Sequence, residues 1–347
     1  MVVHETDKYP APPDLSDYLV IGGGVAGCAL TYVLSTRGVG VTLVERGGIS
    51  EQGASSVPVA LLNPYRGRSA RANELDLAGL AAMGRLVGEL ATLDLDHGVH
   101  LRGVLRVAPN QKQAKTWRKR EGVRWLESEE VPEVYHAPFG GFLVEQGGWL
   151  EPHLFLRALV AAAQRRGGVR VLEHCTVQGV RERGSIQEVR TSSGTLSAKT
   201  VIYCTGASEE VEAALGVEEL EHVAGEVIRL RTSAQLPHAL AGAIYSAQVR
   251  DEVLLGGNHR PAERTDERAP QQLQRAGGWF IPALKEAELV SVWTGVRAKT
   301  EDNVPVIKEV RKGVWFFGGL AGRGFLCAAH LAEGLAERLE RKVERKK

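Results

Sequence analysis

The stretch YLVIGGGVAGCALTYVLSTRGVGVTLVE, residues 18–45, decides the fold of this chain. Tyr18, Leu19, Val20 and Ile21 read as a short strand that runs into Gly22, Gly24 and Gly27 at G-x-G-x-x-G spacing. An apolar helical run follows, then Gly38, then a second β-branched run ending on Glu45. Strand, turn, helix, strand and an acid about twenty residues past the glycines form the pattern of a dinucleotide-binding βαβ unit. Gly22 allows the tight turn, Gly24 lets the backbone approach a pyrophosphate, and Gly27 lets helix and strand pack closely. The diphosphate then sits on the positive end of the helix, and Glu45 accepts hydrogen bonds from ribose hydroxyls. Without the acid the same glycines would describe an ordinary βαβ turn.

Outward from this unit, the composition is that of a soluble globular protein. The 347 residues are 44% hydrophobic and 24% charged, with a formal net charge of +1. A near-neutral chain argues against a nucleic-acid partner without excluding one. No apolar run approaches the ~20 residues of a membrane span. The first fourteen residues, MVVHETDKYPAPPD, lack a signal-peptide core and read as a loose, Pro-containing tail, so a cytoplasmic location is expected. Cys28, Cys175, Cys204 and Cys327 are widely spaced, with neither a disulfide framework nor a metal site implied.

Apolar spacing predicts helices over residues 73–93, 151–166 and 324–341, and a charged, frayed tail over residues 340–347. A strand is expected over residues 169–177. Three short strands at 180–183, 186–191 and 195–198 then form a meander, and a separate buried strand covers 200–205. Residues 101–145 read as short strands and turns. Antiparallel strands are expected at 222–230, 243–249, 252–256 and 288–296, and a last buried strand at 314–317. The fold class is therefore α/β: a Rossmann-like domain of parallel sheet plus meander, and a second, mainly antiparallel sheet domain. Residues 15–75, 150–221 and 300–347 are assigned to the first, and residues 76–149 and 222–299 to the second.

Five segments in this order resemble the FAD-dependent amine and amino-acid oxidoreductases of the D-amino acid oxidase type, which include glycine and sarcosine oxidases. They are IGGGVAG (21–27) with Glu45 and Arg46, GASSVPVALLNP (53–64), VIYCTGA (201–207), GVRAKTEDNVPVI (295–307) and GGLAGRGFLCAAHLAEGLA (318–336). The resemblance covers nearly all of the chain after residue 15 and implies FAD rather than NAD. It implies that Glu45 holds the adenosine ribose, that Arg46 lines the adenine side, and that Val177 touches adenine through its backbone. Ala54, Ser55 and Ser56 would wrap the diphosphate, and Gly206 and Ala207 would pass close to it. Leu61 and Leu62 would border the flavin ring. Gly322, Arg323, Gly324, Phe325 and Leu326 would bring backbone N–H groups and a helix N-terminus to its pyrimidine end, where a positive dipole stabilises charge that builds on reduction. The sequence departs from the family at Ser56-Val57-Pro58-Val59 and at Lys308. Cys327 lies outside any flavin-tethering motif, so the FAD is expected to be non-covalent.

On the substrate side the resemblance assigns Arg297 to a carboxylate; its planar fork suits bidentate binding. The alternative is an ion pair with Glu301 or Asp302. Arg323 and Tyr245 would also face the substrate, and His259 could do so or be structural. The implied reaction is oxidation of a C–N bond by hydride transfer to flavin N5, giving an imine that hydrolyses. No dedicated base is needed once the amine is neutral. The substrate would be a small amino acid or N-substituted glycine, and the acceptor O2 or another oxidant. Two alternatives stand beside this reading. One is a tRNA-modifying oxidase acting on a carboxymethylaminomethyl uridine, to which Arg66, Arg68 and Arg71 could offer phosphate contacts. The other is a non-catalytic, FAD-bound scaffold or redox sensor. The sequence leaves substrate, acceptor and oligomeric state open.

Overall fold

A computed structural model describes residues 15–262 and 266–344. The loose tail expected over residues 1–14 lies outside them. The first strand, Leu15–Ile21, is the centre of an eight-stranded sheet. It pairs in parallel with Val41–Val44 on one side and Gly194–Tyr203 on the other, and Val169–Leu172 extends the parallel set beyond Val41–Val44. Residues 18–21 and 41–44 are buried on both faces of this sheet, which explains why they read as near-continuous apolar runs. The helix Val25–Ser35 between the first two parallel strands is buried along its whole length.

Two expectations about this sheet are corrected. The third meander strand and the strand expected at 200–205 are one continuous strand, Gly194–Tyr203. Its first half pairs antiparallel with Ile186–Thr191, and its second half pairs in parallel with Val314–Gly318. The strand thus leaves the meander and enters the parallel sheet without a break. The strand expected at 169–177 is instead divided. Val169–Leu172 ends, a turn with His174 at φ 53° intervenes, and Val177–Arg183 begins the meander.

The second sheet has nine strands and is mainly antiparallel. It is assembled from segments between residues 104 and 144 and between residues 221 and 299. One pair, Val104–Val107 with Ala239–Ala241, is parallel. The long strand Glu221–Arg231 takes Glu252–Gly256 on one side and the edge strand Glu288–Lys299 on the other. A small three-stranded sheet, with Gly148–Leu150 between Ala60–Leu62 and Val99–His100, lies outside both.

Helices Glu74–Thr92 and Pro152–Arg165 fall where the apolar spacing put them. The closing helix, Gly324–Glu344, runs past the point where fraying was expected; residues 345–347 lie outside the described set. Ala82, Met83, Leu86 and Leu90 of Glu74–Thr92 share one apolar core with Val25–Ser35, Pro152–Arg165 and the closing helix. Gly79 lets the Glu74–Thr92 helix cross the closing helix closely, since a Cβ there would stand 2.5 Å from the Leu326 carbonyl oxygen. Helices at Gln111–Trp117 and Ala269–Phe280 were not foreseen. No helix among the described residues is long and apolar enough to cross a membrane.

Candidate active site

The glycine turn has the form its sequence demands. Gly22 sits at φ 111°, and a Cβ there would collide with the Cys204 carbonyl at the end of the neighbouring strand. A Cβ on Gly27 would collide with the Gly22 carbonyl, so strand and helix meet at bare backbone. The Val25–Ser35 helix begins at Gly24 with no side-chain cap and no acidic residue in its first turn. Ser55 Oγ accepts from the Val25 N–H at 3.0 Å, so the 3₁₀ turn Ala54–Ser56 lies against this helix N-terminus. Glu45, at the end of the second strand, accepts from the Gly23 N–H at 2.5 Å and the Gly47 N–H at 2.9 Å. Arg46 beside it is exposed.

Across the sheet, Gly206 adopts φ 64°, and the point a Cβ would occupy there has no neighbour within 4 Å. Next to it, Thr205 Oγ1 is buried without a hydrogen-bond partner, and Ala207 follows half-buried. A helix N-terminus with no acidic residue in its first turn, a carboxylate at the second strand end, a bare glycine and an orphaned hydroxyl together offer the donors, the acceptor and the clearance an FAD adenosine diphosphate requires. The residues fit the group. Val177 opens the first meander strand, half-buried, opposite Thr191. Leu61 lies opposite Trp149 in the small sheet, and Leu62 is fully buried. Phe325 and Leu326 are buried in the first turn of the closing helix.

The substrate side is built around the end of the edge strand. Gly225 lies beside the Arg297 guanidinium, where a Cβ would collide with it. Arg297 Nη2 donates to the Asn258 carbonyl at 3.4 Å. Among the described residues no carboxylate forms an ion pair with Arg297. Asp302 is instead occupied by Thr300 Oγ1 at 2.8 Å and the Val304 N–H at 3.0 Å. The nearby Glu226, 5% exposed, is satisfied by Arg260 and Asn258. Burial pulls the Arg297 pKa below its ordinary value, and Tyr245 and Glu226 oppose the shift. Burial pushes the Tyr245 hydroxyl up to about 12, opposed by the Arg297 charge, so it remains a donor at neutral pH. Gly256 directly opposite makes room for that ring, which a Cβ would meet at 2.5 Å.

Lys299 bridges to Leu320, which brings the edge strand to the loop before the closing helix. Gly322 in that loop is exposed; the point a Cβ there would occupy lies 3.6 Å from Arg297 Nη1 and 3.7 Å from Arg66 Nη2. Arg297 and Arg66 therefore meet at exposed Gly322, and Tyr245 is close enough to Arg297 to feel its charge. His259, exposed, feels the charges of both arginines. Desolvation, then the charges of Arg297, Arg66 and Lys299, hold its pKa below the ordinary value.

Arg323 points elsewhere. Its side chain, 8% exposed, pairs with Asp76, 2% exposed, at 3.4 Å and donates to the Asn303 carbonyl. Arg323 thus joins the closing helix to the first turn of Glu74–Thr92, its charge already matched. Sequence reasoning did not foresee Asp76 in this role. Nor did it foresee Arg106, which is 5% exposed and donates to the carbonyls of Tyr65 and Gly67 on either side of Arg66. Burial lowers its pKa to about 10. Trp293 on the edge strand donates its indole N–H to Ser56 Oγ at 3.1 Å and so ties the second sheet to the turn at the first helix.

The family model described as FAD dependent oxidoreductase matches residues 17–338. Glycine oxidase of Geobacillus kaustophilus (strain HTA426) is 26% identical over 94% of this chain and 93% of its own length. A crystal structure of glycine oxidase from Geobacillus kaustophilus superposes with a TM-score of 0.80 at 25% identity, covering 94% of this chain and 95% of the other. The tRNA 5-methylaminomethyl-2-thiouridine biosynthesis bifunctional protein of Methylobacillus flagellatus is 28% identical over 84% of this chain, which spans 47% of that protein. L-proline dehydrogenase from P. horikoshii shares the fold, with a TM-score of 0.79 at 20% identity over 95% of this chain and 94% of the other.

Proposed function

This chain belongs to the FAD-dependent oxidoreductase family, and we propose that it oxidises the C–N bond of a small amino acid or N-substituted glycine. The observation that carries the reading is Arg297, a half-buried guanidinium with no ion-pair partner among the described residues, beside exposed Gly322. Holding such a charge out of water is costly unless an anion completes it. A substrate carboxylate is an anion of suitable shape for its fork.

FAD supplies the two-electron acceptor when bound, held non-covalently by the Gly22–Gly27 turn, Ser55 and Glu45. Arg297 fixes the substrate carboxylate and with it the orientation of the Cα–H bond. Tyr245 donates a hydrogen bond from a hydroxyl that stays protonated at neutral pH. The amine reacts as its neutral form, so no side-chain base is required. Loss of two electrons and two protons gives an imine, which water converts to a carbonyl compound and an amine or ammonia. Dioxygen is the proposed final acceptor, reduced to hydrogen peroxide.

The test is anaerobic mixing of the flavin-loaded protein with glycine, sarcosine, proline and both enantiomers of the common amino acids, following loss of the oxidised-flavin band. Bleaching by one of them, abolished in Arg297→Ala with flavin still bound, is the expected result. Absence of bleaching by any overturns the reading. In that case a carboxymethylaminomethyl uridine in tRNA becomes the substrate to try, since the Methylobacillus relative is a tRNA 5-methylaminomethyl-2-thiouridine biosynthesis protein. The arginine loop favours the smaller substrate: Arg68 and Arg71 are exposed, but Arg66 turns toward Arg297 and does not join them in a surface patch.

A further inference from the structure

Two guanidinium groups face the space beside Gly322, although one carboxylate needs only one. Arg66 Nη2, from the loop after Ala60–Leu62, and Arg297 Nη1, from the edge strand, approach the point a Cβ on Gly322 would occupy, at 3.7 and 3.6 Å. The Arg66 side chain has no hydrogen bond or ion pair among the described residues. Asp76 acts on it at longer range but already pairs with Arg323. Glu226 is likewise taken by Arg260. The space therefore carries two positive charges that no protein carboxylate answers by direct contact, and each guanidinium makes the other more costly to keep charged.

Arg66 is also held in place. Arg106 donates to the carbonyls of both its neighbours, Tyr65 and Gly67. Asn63 accepts from the Tyr65 N–H at 3.1 Å, and Arg66 itself pairs through its backbone with Arg71. Arg106 lies in turn 5.1 Å from the Trp117 ring centroid, anchored in the core beneath the loop. A buried arginine thus fixes the peptide on both sides of a second, unpaired one. A backbone fixed in this way sets where the Arg66 side chain starts, so less of its freedom remains to be lost on binding a ligand.

We propose that the substrate carries two acidic groups, with Arg297 holding the carboxylate of the reacting amino acid and Arg66 holding a second carboxylate on its side chain or N-substituent. The proposal rests on the preceding reading of Arg297 and narrows it from a small amino acid to a dianionic one. A single carboxylate leaves one of the two guanidinium charges unanswered; a dianion matches both. Arg66 is a substrate-binding residue in this scheme and takes no part in the electron transfer.

The experiment uses two unreactive ethers of nearly the same shape, so that binding is read without turnover. Propoxyacetate has one carboxylate, and 3-(carboxymethoxy)propanoate carries a second in place of the terminal methyl. Their dissociation constants are measured by calorimetry on the flavin-loaded protein and on Arg66→Gln, Arg66→Lys and Arg297→Ala, with flavin content recorded for each. Wild-type protein should bind the diacid about tenfold or more tightly than the monoacid, the gain of one charge-assisted contact. That ratio should fall toward one in Arg66→Gln and recover in part in Arg66→Lys. For the corresponding amines, N-(2-carboxyethyl)glycine and N-propylglycine, the ratio of kcat/KM should follow the same order.

No diacid preference in wild type overturns the proposal, as does a preference that survives Arg66→Gln. Loss of flavin from Arg66→Gln with the ratio unchanged would assign Arg66 to the cofactor. If propoxyacetate binds and Arg297→Ala abolishes that binding while the diacid shows no advantage, the reading of Arg297 stands and that of Arg66 falls. If neither ether binds, both fall.

Discussion

At the scale of single residues, Arg297 is the side chain whose removal should be felt most in turnover and least in folding. Among the described residues its guanidinium makes only one hydrogen bond, a long one to the Asn258 carbonyl. Arg297→Ala is expected to lower kcat/KM by about 10²–10³-fold, the cost of truncating one partner of a desolvated charge pair. Steady-state peroxide formation measures this, with the flavin-to-protein ratio as control; a loss under about threefold would remove Arg297 from the site. His259 offers a pH signature. Its folded pKa lies below the ordinary 6.5, so the unfolded chain binds more protons there as pH falls. The fold must then lose stability as pH drops below about 6.5. Thermal melts at about pH 7.5 and pH 5.5 should differ less in His259→Gln than in wild type, and an unchanged difference would locate the acid sensitivity elsewhere. Arg297 could be singled out in the sequence because a charge at the end of an apolar strand is conspicuous. Arg66 could not, because Arg66, Arg68 and Arg71 look alike in a polar loop and only the folded chain turns one of them toward Gly322.

At the scale of elements, the meeting of the first strand and first helix tolerates no side chain. Gly27→Ala is expected to yield protein that fails to retain FAD, measured as the flavin-to-protein ratio after purification; full retention would mean that the crossing can open. The crossing of Glu74–Thr92 over the closing helix depends on the Asp76–Arg323 pair. Asp76→Ala strands a buried guanidinium and should cost about 3–5 kcal/mol in unfolding free energy. The double variant Asp76→Leu with Arg323→Met should recover most of that by denaturant titration, if the pair serves packing alone. Elements with strong periodicity, such as Pro152–Arg165, were legible because burial of one face dictates the pattern. Ala269–Phe280 was not: PQQLQRAGGWF has two glycines and few apolar positions, and it is helical because Leu273, Gly277 and Phe280 pack against the second sheet. The break expected inside Gly194–Tyr203 came from reading a change of hydrophobic character as an end. The strand only exchanges partners there, from an exposed meander to a buried parallel sheet. The turn at Gly22, Glu45 and the 53–64 loop were legible because each lies within a local motif. The approach of Arg66 and Arg297 to Gly322 was not, since it joins the loop after Ala60–Leu62 to a strand of the second sheet.

At the scale of the whole molecule, all four cysteines are buried and free. Burial raises the thiols of Cys28, Cys204 and Cys327 above their ordinary values. A chromogenic disulfide reagent should therefore leave Cys28, Cys204 and Cys327 almost unlabelled in the native protein and react with them fully in denaturant; rapid labelling of one of these thiols under native conditions would reveal local opening around it. The first strand also has a temporal consequence. Its partner on one side, Gly194–Tyr203, lies about half the chain away, and the closing helix that covers Val25–Ser35 lies further downstream still. On a ribosome that adds about 5–20 residues per second, the glycine turn waits on the order of ten seconds or more for the strand beside it. During that interval the side of Leu15–Ile21 that pairs with Gly194–Tyr203 has no native partner, although Val41–Val44 already lies on the other. A truncation within the closing helix should accordingly be felt first at the nucleotide turn.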